Sequence, residues 1–393
     1  MSGAAAGTVG RASVSGDGLA KRFRCGLVVG KFSPLHRGHE VVIRRAFAEC
    51  DEVVVISYSN PEFPGCEAVK REEWLAELFP RAKRWVIDGG GAIAPGQTVL
   101  QGGSASPAQA RSAQGEPSIQ GERSAQDERA PSNDASDDLH REYVAGLLRE
   151  MGVDVDAVFT SESYGDGFAA HLTQRRRRED SSRPAVTHVM VDAARVAVPI
   201  SGTQIRADVH AHREWLSPVV SASFVRRVCL LGGESSGKSV LARALAERLE
   251  TQFVPEYGRD LWTRKKGALE FDDLLEIGTT QVALEKAAAR QANAVIFCDT
   301  SPLTTLFYSV EMFGRADPAL EQLAERPYDL YVLCAPDFPF VQDGTRRDED
   351  FRQRQHDWYV QELTRRGLSF VLAEGPLDAR VERIARLARS NRG

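Results

Sequence analysis

The sequence predicts an α/β protein of two domains, each a doubly wound parallel sheet. Three observations carry this. The chain has 393 residues, enough for two ordinary cores. Short apolar runs alternate with segments of helical period in both halves, the rhythm of parallel strands joined by helices. Two glycine-bearing turns each leave an apolar run, "GKFSPLHRGH" at Gly30–His39 and "GGESSGKS" at Gly232–Ser239.

The elements follow in order. Residues 1–20 are small and polar and read as a disordered tail, without the apolar stretch of a secretory signal. Arg24–Val29 is a strand of buried type. A helical period from about Gly38 to Cys50 leads to a second strand, Glu52–Ser57, and a helix around Lys70–Phe79 leads to a third, Arg84–Asp88. The pattern then lapses. From about 91 to 138 there is Gly, Ser, Ala, Gln, Pro and Glu with almost nothing to bury, which predicts a disordered insertion rather than a lid. Order returns with a helix over Leu139–Met151, strands at Ala157–Ser161 and Thr187–Asp192, and a helix opened by "ISGTQIR" (Ile200–Arg206). These place the first domain at 21–216, a linker at 217–223 and the second domain at 224–393. The second domain opens strand, Gly-rich turn, helix. It continues through strands Ala294–Thr300 and Leu330–Ala335 and an Arg- and Asp-rich stretch to about Asp357. It closes with a strand in Ser369–Gly375 and a terminal helix.

Bulk properties narrow the function. A net charge of -5 and a pI near 6.0 argue against a nucleic-acid binder, which would show a basic domain or stripe. Six cysteines (Cys25, Cys50, Cys66, Cys229, Cys298, Cys334) are scattered without a C-x-x-C pair, as expected of reduced thiols in a cytoplasmic protein. No apolar run approaches membrane-spanning length, so no membrane partner is expected. A homo-oligomer is left open.

The second turn carries the more specific chemistry. Gly232, Gly233, Glu234, Ser235, Ser236, Gly237, Lys238 and Ser239 fit G-x-x-x-x-G-K-[ST] throughout, between an apolar strand and a helix. Glycines let the backbone wrap phosphate, and its N–H groups with the helix N-terminus supply partial positive charge. Lys238 would reach the β- and γ-phosphates of ATP, and Ser239 would ligate Mg²⁺. Asp299 ends the next buried strand, where a carboxylate can hold Mg²⁺ or accept a proton; capping the helix that follows in "DTSPL" is the other reading. In "VPEYGRD", Glu256 is an acceptor contact or second acid. Tyr257 and Trp262 are flat enough to stack on a ring, with core packing as the alternative. "QDGTRRDEDFRQRQ" (Gln342–Gln355) reads as too polar for core. Its Arg346 and Arg347 would close on transferring phosphates, or would belong to a solvated helix. Together these predict transfer of the γ-phosphoryl group to a small acceptor. A guanine-type N-K-x-D signature is absent, which disfavours a GTPase.

In the first turn, His36 and His39 have no companions at metal-ligand spacing, so an electrostatic use is preferred. A helix N-terminus favours anions, and two histidines with Lys31 nearby make a site for a triphosphate and a leaving pyrophosphate. Gly30 and Gly38 permit close backbone approach.

"GKFSPLHRGH" resembles the H-x-G-H motif of the nucleotidyltransferase superfamily, and "ISGTQIR" resembles its second motif, I-S-[ST]-x-x-R. With a P-loop half following, the chain is similar to the bifunctional NadR-type family: a nicotinamide mononucleotide adenylyltransferase joined to a ribosylnicotinamide kinase. "FTSESYGDGFAAHL", "VDAARVAVPISGTQIR", "PEYGRD", "FCDTSPLTT" and "VQDGTR" match that family's local patterns, so the resemblance runs from about Arg24 to about Ile384 outside the insertion. It implies a Rossmann-like nucleotidyltransferase domain followed by a P-loop kinase domain. Nicotinamide riboside would be phosphorylated by Mg-ATP to nicotinamide mononucleotide, which a second ATP would adenylylate to NAD. It implies His36, His39 and Arg206 as catalytic in the first half. Gly30, Lys31, Phe32, Ser33, Pro34, Gly38, Ser161, Glu162, Tyr164, Asp192, Arg195, Ser201, Gly202 and Thr203 would surround the nucleotides. In the kinase half Lys238, Asp299 and Glu256 would be catalytic and Tyr257, Trp262 and Thr300 would bind the acceptor. Some relatives carry an N-terminal helix-turn-helix domain; about twenty-three residues precede the first strand here, so operator binding is not expected. Two other readings keep the architecture: another small phosphate ester as acceptor, or a nucleotide sensor without turnover.

Overall fold

The computed structural model describes residues 21–88, 92–93, 129–194, 196–340 and 347–390. The expected tail, most of the expected insertion, Arg195 and Arg346 lie outside the described residues. The chain forms two compact units that interleave in sequence. Unit one is Met1–Phe32, Gly38–Phe63 and Leu78–Pro199; unit two is Ser33–Arg37, Pro64–Glu77 and Ile200–Gly393.

Unit one is built on six strands: β1 (Phe23–Gly30), β2 (Cys50–Tyr58), β3 (Lys83–Ile87), β4 (Ala92–Ile93), β5 (Ala157–Thr160) and β6 (Thr187–Met190). Their order is β4-β3-β2-β1-β5-β6, parallel except for β4 at the edge. Val53, Val54, Val55 and Ile56 are all essentially fully buried, because helices cover both faces of a parallel sheet. The chain runs from β1 to β3 on one side and resumes at β5 on the other. The carboxyl ends of β1 and β5 therefore flank the switch point where such sheets bind ligands.

Unit two carries β7 (Arg226–Leu231), β8 (Gln252–Val254), β9 (Val295–Asp299), β10 (Leu330–Cys334) and β11 (Phe370–Ala373), in the order β11-β10-β7-β9-β8 and all parallel. β7 is central, so its exit turn lies between the ends of β9 and β10. Val228, Leu230, Phe297, Val332 and Leu245 form the core beneath that turn.

Three sequence expectations are corrected here. The expected insertion ends before 138. Ala130 is buried, Asn60 donates to its carbonyl at 2.7 Å, and Asn133 and Asn60 share a backbone bond of 2.7 Å. A stretch with little to bury is held instead by backbone hydrogen bonds, which composition does not reveal. The boundary expected near 217 separates the sheets but not the compact units. Trp74, 1% exposed, packs on Phe224 and donates its indole N–H to Ser223 at 2.7 Å, which ties the early helix Ala68–Leu78 into unit two. The described part of the polar stretch, residues 347–355, is not simply solvated, because Arg352 and Gln355 on the helix Glu349–Arg365 are buried.

Trp74 makes a direct stability test. Trp74→Ala should destabilise unit two by about 3–5 kcal/mol, the cost of emptying a large core site. Trp74→Phe should lose mainly the bond to Ser223, about 1 kcal/mol. Urea titration of the intact chain reads the order.

Candidate active sites

In unit two the turn after β7 is forced into an unusual backbone. Gly232 has φ 141°, Ser235 φ 59° and Gly237 φ 82°. Glycine at 232 and 237 removes the Cβ clash that left-handed backbone would impose. Gly233 is needed for a different reason: a Cβ there would lie 2.4 Å from the Arg352 carbonyl oxygen. The helix Lys238–Arg248 begins at once, aiming its N-terminal N–H groups back at the turn. Lys238 donates from Nζ to the carbonyls of Gly232 and Gly233, both at 3.0 Å. That folds the ammonium over the loop, where phosphate oxygens can replace the two carbonyls.

Asp299 ends β9 in register with Leu230 and is 3% exposed. Its Oδ1, the Thr300 hydroxyl and the Ser236 hydroxyl are buried without a hydrogen-bond partner. Leaving such atoms unsatisfied costs about 1–3 kcal/mol each, a cost tolerated where something else completes the site. Thr300 also holds φ at 86°, a strained value for a β-branched residue. Strain and orphaned oxygens coincide at the strand end expected to bind the metal and acceptor.

Glu256 sits nearby in charge terms. Burial holds its carboxyl above the ordinary value of 4.5, and the Asp299 charge adds to this, while Lys238 and Arg259 oppose it. Arg259 donates to its Oε2 at 3.3 Å. Glu234 is committed elsewhere: its carboxylate accepts the Tyr308 hydroxyl at 2.9 Å and the Arg347 backbone N–H at 2.7 Å. Its own N–H donates to Gln355 Oε1 at 3.0 Å. The Arg347 guanidinium lies over Phe351 and pairs with Glu311. The two aromatic candidates are engaged in packing. The Tyr257 hydroxyl bonds Glu276 and Arg264, each at 2.7 Å, and the Trp262 ring backs on Gly267.

The first-half motif divides between the units. In unit one, Gly30 closes β1 and Phe32 is buried at φ 46°, its ring edge-on to His39 at 5.0 Å. Gly38 and His39 lie in the first turn of the helix Arg37–Glu49. Lys31 donates to the Asn133 carbonyl at 3.0 Å. Ser161, Glu162 and Tyr164 follow β5 directly, at the switch point. Burial pushes the Tyr164 phenol up to about 12. Asp192 holds its own turn, its carboxylate accepting N–H groups of Val196 and Ala197. In unit two, Ser33, Pro34 and His36 are buried. Arg206 donates to the Ser33 carbonyl and, at 3.1 Å, to the Thr203 hydroxyl. Ser201 closes a capping box with Gln204 at the head of the helix Gly202–Ala207, its hydroxyl accepting the Gln204 N–H and donating to Gln204 Oε1.

Sequence reasoning missed a relay in unit one. Asp166 Oδ1 lies 2.7 Å from His188 Nδ1, and His188 Nε2 lies 2.9 Å from the Thr160 hydroxyl, which donates to the Glu162 carbonyl at 2.7 Å. It braces the loop Ser161–Tyr164. Thr160 and Asp166 share the stretch "FTSESYGDGFAAHL", but His188 lies well beyond it in sequence, so nothing local joins the three. A cavity of about 700 Å³ beside Asp166 and His188, lined also by Thr173, Gln174, Arg177 and Arg178, includes none of the expected nucleotide residues. The backbone turned toward an anion lies instead at the strand exits. Among the described residues no group of three or more His, Cys, Asp and Glu side chains is placed to hold a metal ion. No helix of the described residues is long and apolar enough to cross a membrane.

Residues 227–380 match an AAA domain family, AAA_28. "Trifunctional NAD biosynthesis/regulator protein NadR" of Escherichia coli (strain K12) is 28% identical over 380 residues, 94% of this chain and 83% of that protein. The chain is similar to NadR over nearly its whole length. The Salmonella typhimurium NadR agrees, at 28% over 381 residues. A crystal structure of NadR with NR aligns at TM-score 0.61 and 18% identity, covering 94% of this chain and 97% of that one. NadR with NAD and AMP-PNP aligns at 0.59 and 19%. The fold is thus shared with NadR along nearly the whole chain.

Glu256 gives a pH-dependent prediction. A carboxyl raised above its unfolded value binds its proton more tightly when folded. Its ionisation therefore costs stability above about pH 4.5 and nothing well below it. Glu256→Gln should raise the Tm of the intact chain at pH 7, with the gain shrinking as pH falls toward 4. Thermal scans across that range read it.

Proposed function

We propose that the chain makes NAD in two ATP-dependent steps, one in each anion-binding strand exit. In the P-loop unit, the 5′-hydroxyl oxygen of nicotinamide riboside attacks the γ-phosphorus of ATP. The phosphorus–oxygen bond to ADP breaks, and the proton passes to Glu256 or Asp299. Burial raises the Glu256 carboxyl, which makes it a stronger base than an exposed glutamate. Lys238 and the Gly232–Ser239 backbone stabilise charge on the transferring and leaving oxygens. In the H-x-G-H half, a phosphate oxygen of nicotinamide mononucleotide attacks the α-phosphorus of a second ATP and pyrophosphate leaves. The attacking group is already an anion, so no protein nucleophile is needed. His36, His39 and Arg206 answer the charge that develops.

Mg²⁺ fits the kinase donors. The set is all oxygen: the Ser239 hydroxyl, Asp299 and the orphaned oxygens beside it. One carboxylate completed by substrate phosphates is how this hard cation is usually held. When bound it would supply positive charge that neutralises the transferring phosphate. ATP and Mg²⁺ are the cofactors, the nicotinamide compounds are the partners, and a cytoplasmic setting suits the buried free thiols.

The observation that carries this reading is similarity to NadR over 94% of the chain, joining both motif sets. The experiment is product analysis with Mg-ATP. Lys238→Ala should lower ADP release with nicotinamide riboside by about 10²–10³-fold while leaving pyrophosphate release with the mononucleotide intact. His39→Ala should do the reverse. Loss of both activities from either change, in a folded chain, would break the two-site account.

A further inference from the structure

Arg380 lies on the last helix, Leu377–Arg389, far in sequence from the phosphate loop, yet it is 2% exposed and bonded to that loop. Nη1 donates to the Ser236 carbonyl at 3.3 Å, Nε to the Gly375 carbonyl at 2.9 Å, and Nη2 to Asp337 Oδ1. The other Asp337 oxygen accepts the Gly375 N–H at 2.6 Å. The guanidinium carbon sits 4.3 Å from the centre of the Phe338 ring. That ring in turn comes within 3.5 Å of where a Cβ on Gly237 would be. One buried cation and the ring beneath it thus bear on both residues of the Ser236–Gly237 peptide.

A loop that turns its N–H groups toward an anion must turn carbonyls away from it. The Ser236 carbonyl and the Gly237 N–H belong to one planar peptide group, so fixing one aims the other. A charged donor makes the stronger bond to that carbonyl. It also polarises the peptide, which improves its N–H as a donor. Asp337 neutralises the guanidinium, without which the buried charge would be costly.

We propose that Arg380, paired with Asp337, is a positioning residue for the kinase reaction: it sets and polarises the Ser236–Gly237 peptide that receives the ATP phosphates. The inference rests on the kinase reading for the identity of the donor. A purely structural arginine would instead pin the last helix and affect both substrates alike.

ADP release isolates the kinase, because the other half releases pyrophosphate. In the full chain, Arg380→Met should raise the KM for ATP at least about tenfold, the loss of one bond to a charged group. The KM for nicotinamide riboside should stay within about twofold. Arg380→Lys should recover only part, since an ammonium cannot reproduce the fork to three acceptors. Pyrophosphate release with the mononucleotide should be unchanged and reports that the chain is folded. Equal rises in both KM values, or a lower Tm with KM for ATP unmoved, would overturn the assignment. If Arg380→Met does not fold, Asp337→Asn should show the same selective rise in smaller measure, and no rise would overturn it equally. Should the unaltered chain release no ADP with nicotinamide riboside, the reaction falls rather than this contact. The contact is then read from the Tm gain that ATP gives the intact chain. A gain lost in Arg380→Met supports it, and a gain retained overturns it.

Discussion

A backbone that binds phosphate must point several N–H groups inward at once, and an ordinary strand or helix cannot do this. The chain meets that constraint where a strand ends and a helix begins. Gly232, Ser235 and Gly237 occupy left-handed or mirror-extended backbone. Thr300, at the neighbouring strand end, does so against its own β-branched preference. These positions are unstable by themselves. They persist because β7 lies in the middle of a fully parallel sheet whose core residues are inaccessible to water. The same logic applies to the Gly30 exit from β1, where Phe32 is buried at positive φ.

Support for the P-loop comes from polar groups buried against its back. Gln355 receives the Glu234 N–H, and Tyr308 with the Arg347 backbone fixes the Glu234 carboxylate. Arg352, itself buried, brings its carbonyl up to Gly233. None of these needs to touch nucleotide to matter. Positioning supplies most of the catalysis in phosphoryl transfer, so a loop misplaced by an ångström loses rate even with every reacting group present.

The strand–turn–helix junctions were legible because glycine, lysine and serine spacing encodes them locally. Strand centres were legible because buried parallel strands are continuous apolar runs, as in Val53–Ile56. The short edge strand Gln252–Val254 and the pair Ala92–Ile93 were not, being too brief to show a period. The roles of Arg380, Arg352, Gln355 and His188 were hidden for another reason. Each is a polar residue on a helix or edge strand whose partner lies far along the chain, and polarity alone reads as exposure. Trp74 shows the converse: its apolar nature announced burial, but nothing local told which unit would bury it. Nor does the sequence show the local bonds of two expected nucleotide contacts, the Ser201 cap with Gln204 and the Asp192 turn with the Val196 N–H.

The central claim is that two anion-binding exits each consume their own ATP in sequence. The most direct measurement offers the intact chain nicotinamide riboside with ATP labelled either at the γ- or at the α-phosphorus, and follows label into purified NAD. The account predicts one label from each position in every NAD molecule, the γ-label on the nicotinamide side of the pyrophosphate bridge and the α-label on the adenosine side. NAD carrying only the α-label, or no labelled NAD with ATP bound, would contradict it.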